Sequence, residues 1–552
     1  MDKSVSVDFI ASRGAQLPDG LQDQVEINIS PTLTGGFHIV YTRVEDMPLL
    51  NNYVGRTFVA SHAEVLGLVD LGCLEFTGYT QSYNQTPLAG KGIILGFVDT
   101  GIEYTNSIFR RRDGRSRILG IYDQTVAGSG PYGFGIGTEF NQTMINEALQ
   151  SPNPYATVPS FDDAAHGTFL ASVAAGGKQQ NFAGVAPEAD LLVVKLRKAH
   201  PYYLKKYLVP QSQENAFSST DVILGVEYIV RRAMELGRPV AICLGLGSNY
   251  GGHDGNTLLE QYLGEVSKIK GVCICVAGGN ESLARRHYFG QIPAEGGVQE
   301  VVLEVGEGQS DIYMTMWNNA PDQLRVSLVS PSGSVVEGVA LRPGTQHYRN
   351  LLNDHCHVQV EYHYPVFGSG CQNTVIRILT PCGGLWRIRI HGDKIYHGGF
   401  HIWLPIVGFV SPAVSFTSPD RNYTITIPGT SQSLITCGAY NTFEDLLCVT
   451  SSWGPSRTNK MLPDLAAPGV DITGIFPGGF GRMTGTGAAA AILAGSCAIL
   501  MEKGLSQKYG PLNTEQIRAL LIRHATRPPG VDYPNYLWGY GLLNLEATLA
   551  GM

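Results

Sequence analysis

The first residues, Met1 to Asp8, lack a continuous apolar run and mix charged and polar side chains with isolated valines. A secretory signal is therefore not expected. There is also no uninterrupted run of about 18 apolar residues, so no membrane span is expected. Basic clusters are scarce. Arg110, Arg111 and Arg112 form the densest one, and beside a formal net charge of -8 they read as a solvated turn, which speaks against a nucleic-acid partner. The 10 cysteines are scattered. Only Cys273 and Cys275 lie close together, and their strand is expected to point them to opposite faces, so neither a metal site nor a cofactor is expected. Buried, reduced thiols suit an intracellular protein. Hydrophobic residues make up 43% and charged residues 16%, a globular balance that excludes general disorder.

The 552 residues predict several structural units. Residues 1–82 carry short alternating apolar segments (Phe37 to Tyr41, Cys73 to Phe76) around an expected helix at Ala60 to Gly67, a small α+β unit. The polar stretch Thr80 to Pro87 reads as a linker. Residues 83–296 then alternate buried-type strands with amphipathic helices. The strands are Gly92 to Asp99, Leu191 to Leu196, Val240 to Leu244 and Val272 to Ala277; the helices are Val222 to Leu236 and Leu258 to Ile269. This alternation predicts an α/β fold, a doubly wound parallel sheet. From Gly297 to Thr430 the texture changes to short strands between Gly, Pro, Ser and Asn turns, as expected of an inserted β-sandwich. Residues 431–552 resume the α/β pattern.

Four motifs carry the chemistry. Asp99-Thr100-Gly101 ends a buried strand, where α/β folds place functional groups. His166 opens a helix of small residues, His166 to Gly176. Asn280 follows the strand Val272 to Ala277, where a side-chain amide can stabilise an oxyanion. Thr484-Gly485-Thr486-Gly487-Ala488-Ala489-Ala490 comes last. Leu244-Gly245-Leu246-Gly247 offers a strand edge with which an extended peptide could pair.

The order Asp99, His166, Asn280, then the Gly-Thr-Gly segment resembles the subtilisin-like (S8) serine proteases. Ala183-Gly184-Val185-Ala186-Pro187 and Pro463 to Val470 add to the likeness. Asp99 to Tyr104, Arg117 to Gln124, Gly247 to Gly255 and the inserted sandwich, a jelly roll in that reading, are similar to the Csp germination proteases of clostridia. The resemblance implies that residues 1–82 are a prodomain. It further implies that such enzymes activate the zymogen of a spore-cortex lytic enzyme, and that some members are pseudoproteases acting as regulators or germinant sensors.

The departures from the pattern single out the pseudoprotease members, of the CspC type. Gly487 stands where the resemblance places the nucleophilic Ser, with Ala488, Ala491 and Ile492 for the usual Met, Pro and His, and Phe169 for a common second His. A glycine cannot attack a carbonyl. Asp99 and His166 are then catalytic residues without a hydroxyl to activate. The partners implied are other Csp proteases or a cortex-lytic zymogen, the chain's own prodomain left uncut in the cleft, and a small-molecule germinant. The location implied is the spore. Two rival readings are an active endopeptidase in which Gly487 is a variant, and a structural spore scaffold.

Overall fold

The computed structural model describes residues 6–12, 14, 24–51, 60–70, 75–76, 86–179, 181–337, 346–366, 368–507 and 509–552. The central sheet is built from apolar runs with side chains buried on both faces, the pattern of a covered parallel sheet. Its spatial order is Leu446–Leu447, Ile435–Asn441, Val272–Ala277, Val240–Leu244, Ile94–Asp99, Asp190–Lys195, Ile118–Asp123 and Thr138–Asn141. The inner pairs are parallel, and the two outermost, Tyr440 with Leu447 and Ile121 with Phe140, are antiparallel. Helices Ser219–Glu235 and Leu258–Ser267 cover one face; His166–Ala175 and Thr486–Ser506 cover the other. The expected doubly wound α/β body is therefore present.

Thr486–Ser506 is long and apolar enough by length and composition to cross a membrane, but most of it is buried as the central helix of this body. It packs on strands Val272–Ala277 and Val240–Leu244. The cysteine expectation is corrected here. Residues two apart on a strand share a face, so Cys273 and Cys275 both face the central helix. The sulfur atoms of Cys273, Cys275 and Cys497 lie within 4.8 Å of one another, and the Cys275 and Cys497 sulfurs are 3.5 Å apart. Burial pushes the Cys275 and Cys497 thiols up, so they pack as neutral groups.

The N-terminal unit has a sheet ordered Ile27–Ile29, His38–Thr42, Val7–Ala11 and Ala60–His62. Ile10, Ile39 and Tyr41 enter the core of the α/β body. The helix expected over Ala60 to Gly67 is instead two strands, Ala60–His62 and Val65–Leu68. A short apolar run fits either element by pattern alone; strand pairing on both sides of Val65–Leu68 decides it. Of the stretch Thr80 to Pro87, residues 80–85 lie outside the described residues, as do Cys73 and Leu74.

The sandwich starts earlier than the expected Gly297, at His287–Gln291, and its last strand is Val414–Phe416. After that strand the chain rejoins the body, where Ile427 bridges Ser248. Two antiparallel sheets enclose a core that includes Trp386, Ile388 and Ile402. Trp317 and Trp403 instead pack at the junction with the body. There the Arg457 guanidinium lies 5.6 Å from the Trp317 ring and pairs with buried Asp254.

Candidate functional site

Asp99 ends its strand beside the first turn of the helix His166–Ala175. The His166 Nδ1 sits 2.7 Å from Asp99 Oδ1, and both residues are buried. Asp162, which the motifs did not flag, fixes this corner. Its carboxylate accepts from Thr100 Oγ1 at 2.7 Å, from the Ala165 N–H at 2.9 Å, and from both the N–H and hydroxyl of Thr168 at 2.7 Å. Burial pulls the His166 imidazole down, but Asp99, by charge and hydrogen bond, and then Asp70 and Asp162 by charge, outweigh it and push its pKa up to about 9.

Asn280 and the N-terminus of the central helix face this pair. The Asn280 Oδ1 accepts from the Thr486 N–H at 3.1 Å, and Thr486 Oγ1 accepts from the Gly279 N–H at 3.0 Å. The loop and the helix start are thereby locked together. Gly485, at φ 151°, turns the chain into the helix in a conformation that favours glycine.

The strand edge Leu244 to Gly247 is paired from within the chain. It pairs with the chain's own Val65–Leu68, Leu68 opposite Leu246 and Gly67 opposite Gly247. On its other side Val65–Leu68 pairs with Ala216–Ser218. Ser248 Oγ donates to the Val65 carbonyl at 2.8 Å, and Leu66 and Leu68 are buried. A Cβ at Gly245 would come within 3.0 Å of His166 Cε1, so this edge approaches the histidine closely.

The strand carries Asp70 to the centre of the site. Its Oδ1 accepts from Asn280 Nδ2 at 2.9 Å and from the Gly487 N–H at 3.1 Å; its Oδ2 accepts from the Ala488 N–H at 2.8 Å. Among the described residues the His166 Nε2 has no hydrogen-bond partner; it lies 3.9 Å from Asp70 Oδ2. Burial pushes the Asp70 carboxyl up, against the lowering effects of His166, Asn280 and the two N–H groups. The structure thus brings Asp99, His166, Asn280, Gly487 and the Leu244 to Gly247 edge into one site. Sequence reasoning missed Asp70, since no motif surrounds it; its only signal was its place after the apolar segment Val65 to Leu68.

An Asp–His pair at the end of a parallel sheet, facing a side-chain amide and a helix N-terminus, is the framework of a serine-peptidase site on an α/β body. The chain belongs to the subtilase family, whose model matches residues 90–348 and 414–541. Among solved structures it is similar to the CspB protease of Clostridium perfringens. That likeness has a TM-score of 0.74 and 30% identity, and covers 85% of this chain and 96% of the other. Two curated relatives match over shorter stretches. Serine protease AprX of Bacillus subtilis is 28% identical over 163 residues, 26% of this chain and 35% of AprX. Subtilisin-like protease 10 of Arthroderma otae is 41% identical over 100 residues, 17% of this chain and 23% of that protein. The matches thus span about a third or less of these curated relatives.

Proposed function

We propose that this chain is a catalytically silent subtilase of the Csp type that acts by binding. One observation carries the reading: the His166 Nε2, the atom that would deprotonate a nucleophile, faces the Asp70 carboxylate and has no hydrogen-bond partner among the described residues. In this reading Gly487 occupies the nucleophile's position, and a glycine cannot form an acyl-enzyme. The magnitude known for subtilisin, where loss of the serine alone lowers turnover about a millionfold, sets the scale of the defect.

The N-terminal unit acts as an uncut prodomain whose strand Val65–Leu68 stays in the cleft. The partners are an active Csp protease or the zymogen of a cortex-lytic enzyme in the spore, with a small-molecule germinant as a further ligand. The similarity to the CspB protease supports this assignment. A fluorophosphonate probe tests the silent site: the wild-type chain stays unlabelled at position 487 and at the flanking Thr484 and Thr486. Labelling of any hydroxyl in the site, lost in His166→Ala, would overturn the reading.

A further inference from the structure

The Asp70 carboxylate fills the space that a side chain at position 487 would take. A Cβ built on Gly487 would lie 3.0 Å from Asp70 Cγ and closer still to Oδ2. Both carboxylate oxygens are used: one is held by the Asn280 amide and the Gly487 N–H, the other by the Ala488 N–H. These N–H groups open a helix running from Thr486 to Ser506, whose dipole favours an anion at this end. The buried His166 Nε2, unpartnered among the described residues, lies 3.9 Å from the same carboxylate and is a second, independent feature facing it. An oxyanion site of a peptidase receives a single oxygen; here the missing side chain opens room for a second.

We propose that Asn280, the Gly487 and Ala488 N–H groups and His166 form a carboxylate-binding seat, with Asp70 as its built-in ligand. The seat exists only because position 487 has no side chain, so Asp70 and Gly487 are a matched pair. The chemical class it takes is a small carboxylate, whether carried on the chain's own strand or free in solution. A cavity of about 280 Å³, lined by Leu68, Asp70, Asn280 and Thr484 among others, adjoins the seat and gives a free carboxylate a path to it. The proposal deepens the binding reading above, but its test does not depend on that reading.

Chemical rescue tests it on the full chain. Asp70→Ala empties the seat, and sodium formate should raise its melting midpoint by several degrees above sodium chloride at equal ionic strength. Formate should not do so for the wild type, whose seat is filled, or for Asp70→Ala/Gly487→Ala, where a Cβ intrudes. Absence of a formate-specific rise, or an equal rise in the double variant, overturns the seat. Should Asp70→Ala not fold, Asp70→Asn keeps the size and replaces one oxygen by an NH2 that faces N–H donors. It should melt well below the wild type, and an unchanged midpoint would overturn the proposal. Hydrolytic activity in the wild type would sink the silent-subtilase reading and leave the formate result standing.

Discussion

At the scale of residues, Gly487 and Asp70 are interlocked. Gly487→Ser would drive a hydroxymethyl group into the buried Asp70 carboxylate, and overpacking of this kind costs about 1–3 kcal/mol. The variant should melt below the wild type and gain no hydrolytic activity, because Asp70 still fills the site. Removing the acid as well, in Gly487→Ser/Asp70→Gly, should recover much of the lost stability, a non-additive pair in a double-mutant cycle; strictly additive losses would show that the two positions do not meet. The His166 charge makes a second prediction. Its folded pKa of about 9 lies above the ordinary 6.5, so its stabilising contribution is complete below pH 6.5 and lost as pH rises through 9. Asp70, also raised, acts in the same direction at lower pH. The unfolding free energy should fall between about pH 6.5 and 9 by an amount on the order of 3 kcal/mol, and a pH series on His166→Asn should be flatter; equal slopes would refute the charge.

The same scale shows what was legible in the sequence. Asp99, His166, Asn280 and Gly487 sit in short motifs whose neighbours dictate local geometry, so the sequence singles out each of them, and the structure brings the four together. Asp70 leaves no such trace. It reaches the site only because its strand pairs with Leu246–Gly247, and long-range pairing of this kind imposes no local pattern on its neighbours. Cys273 and Cys275 were misread for a simpler reason, a wrong assignment of strand faces, and Cys497 joins them from a helix distant in the chain.

Among the elements, four strands of the central sheet, Ile94–Asp99, Asp190–Lys195, Val240–Leu244 and Val272–Ala277, were readable because each holds an apolar run; Thr138–Asn141 at the sheet's edge has no such run. The segment Ala60 to Gly67 was not readable, since its apolar residues are too few to separate helix from strand. Its strand Val65–Leu68 is held by pairing on both edges and by burial of Leu66 and Leu68. Leu66→Ala should therefore cost about 2–5 kcal/mol, the range for a buried leucine. Denaturant unfolding measures it, and a loss below about 0.5 kcal/mol, typical of surface substitutions, would mean that the strand does not occupy the cleft in solution.

For the whole molecule, the sandwich and the α/β body meet through a polar contact sealed by rings. Arg457 pairs with Asp254, donates to the Gly252 carbonyl and lies against Trp317, with His253 stacked on Trp403 at 4.2 Å. Breaking a buried ion pair from one side costs about 3–5 kcal/mol, so Arg457→Ala should loosen the junction. Limited trypsin digestion should leave the wild type whole and release a sandwich fragment from the variant; rapid release from the wild type would show a loosely tethered insert. The change of texture that betrays the sandwich was legible, but its first strand, His287–Gln291, was missed because its mixed burial lacks strict alternation.

In the proposed reading this subtilase body holds its own Asp70 where a working nucleophile would act. The most direct measurement is turnover of a peptide ester by the wild-type chain beside His166→Ala. Rates equal to each other and to buffer are expected; turnover by the wild type that disappears in His166→Ala would contradict the account.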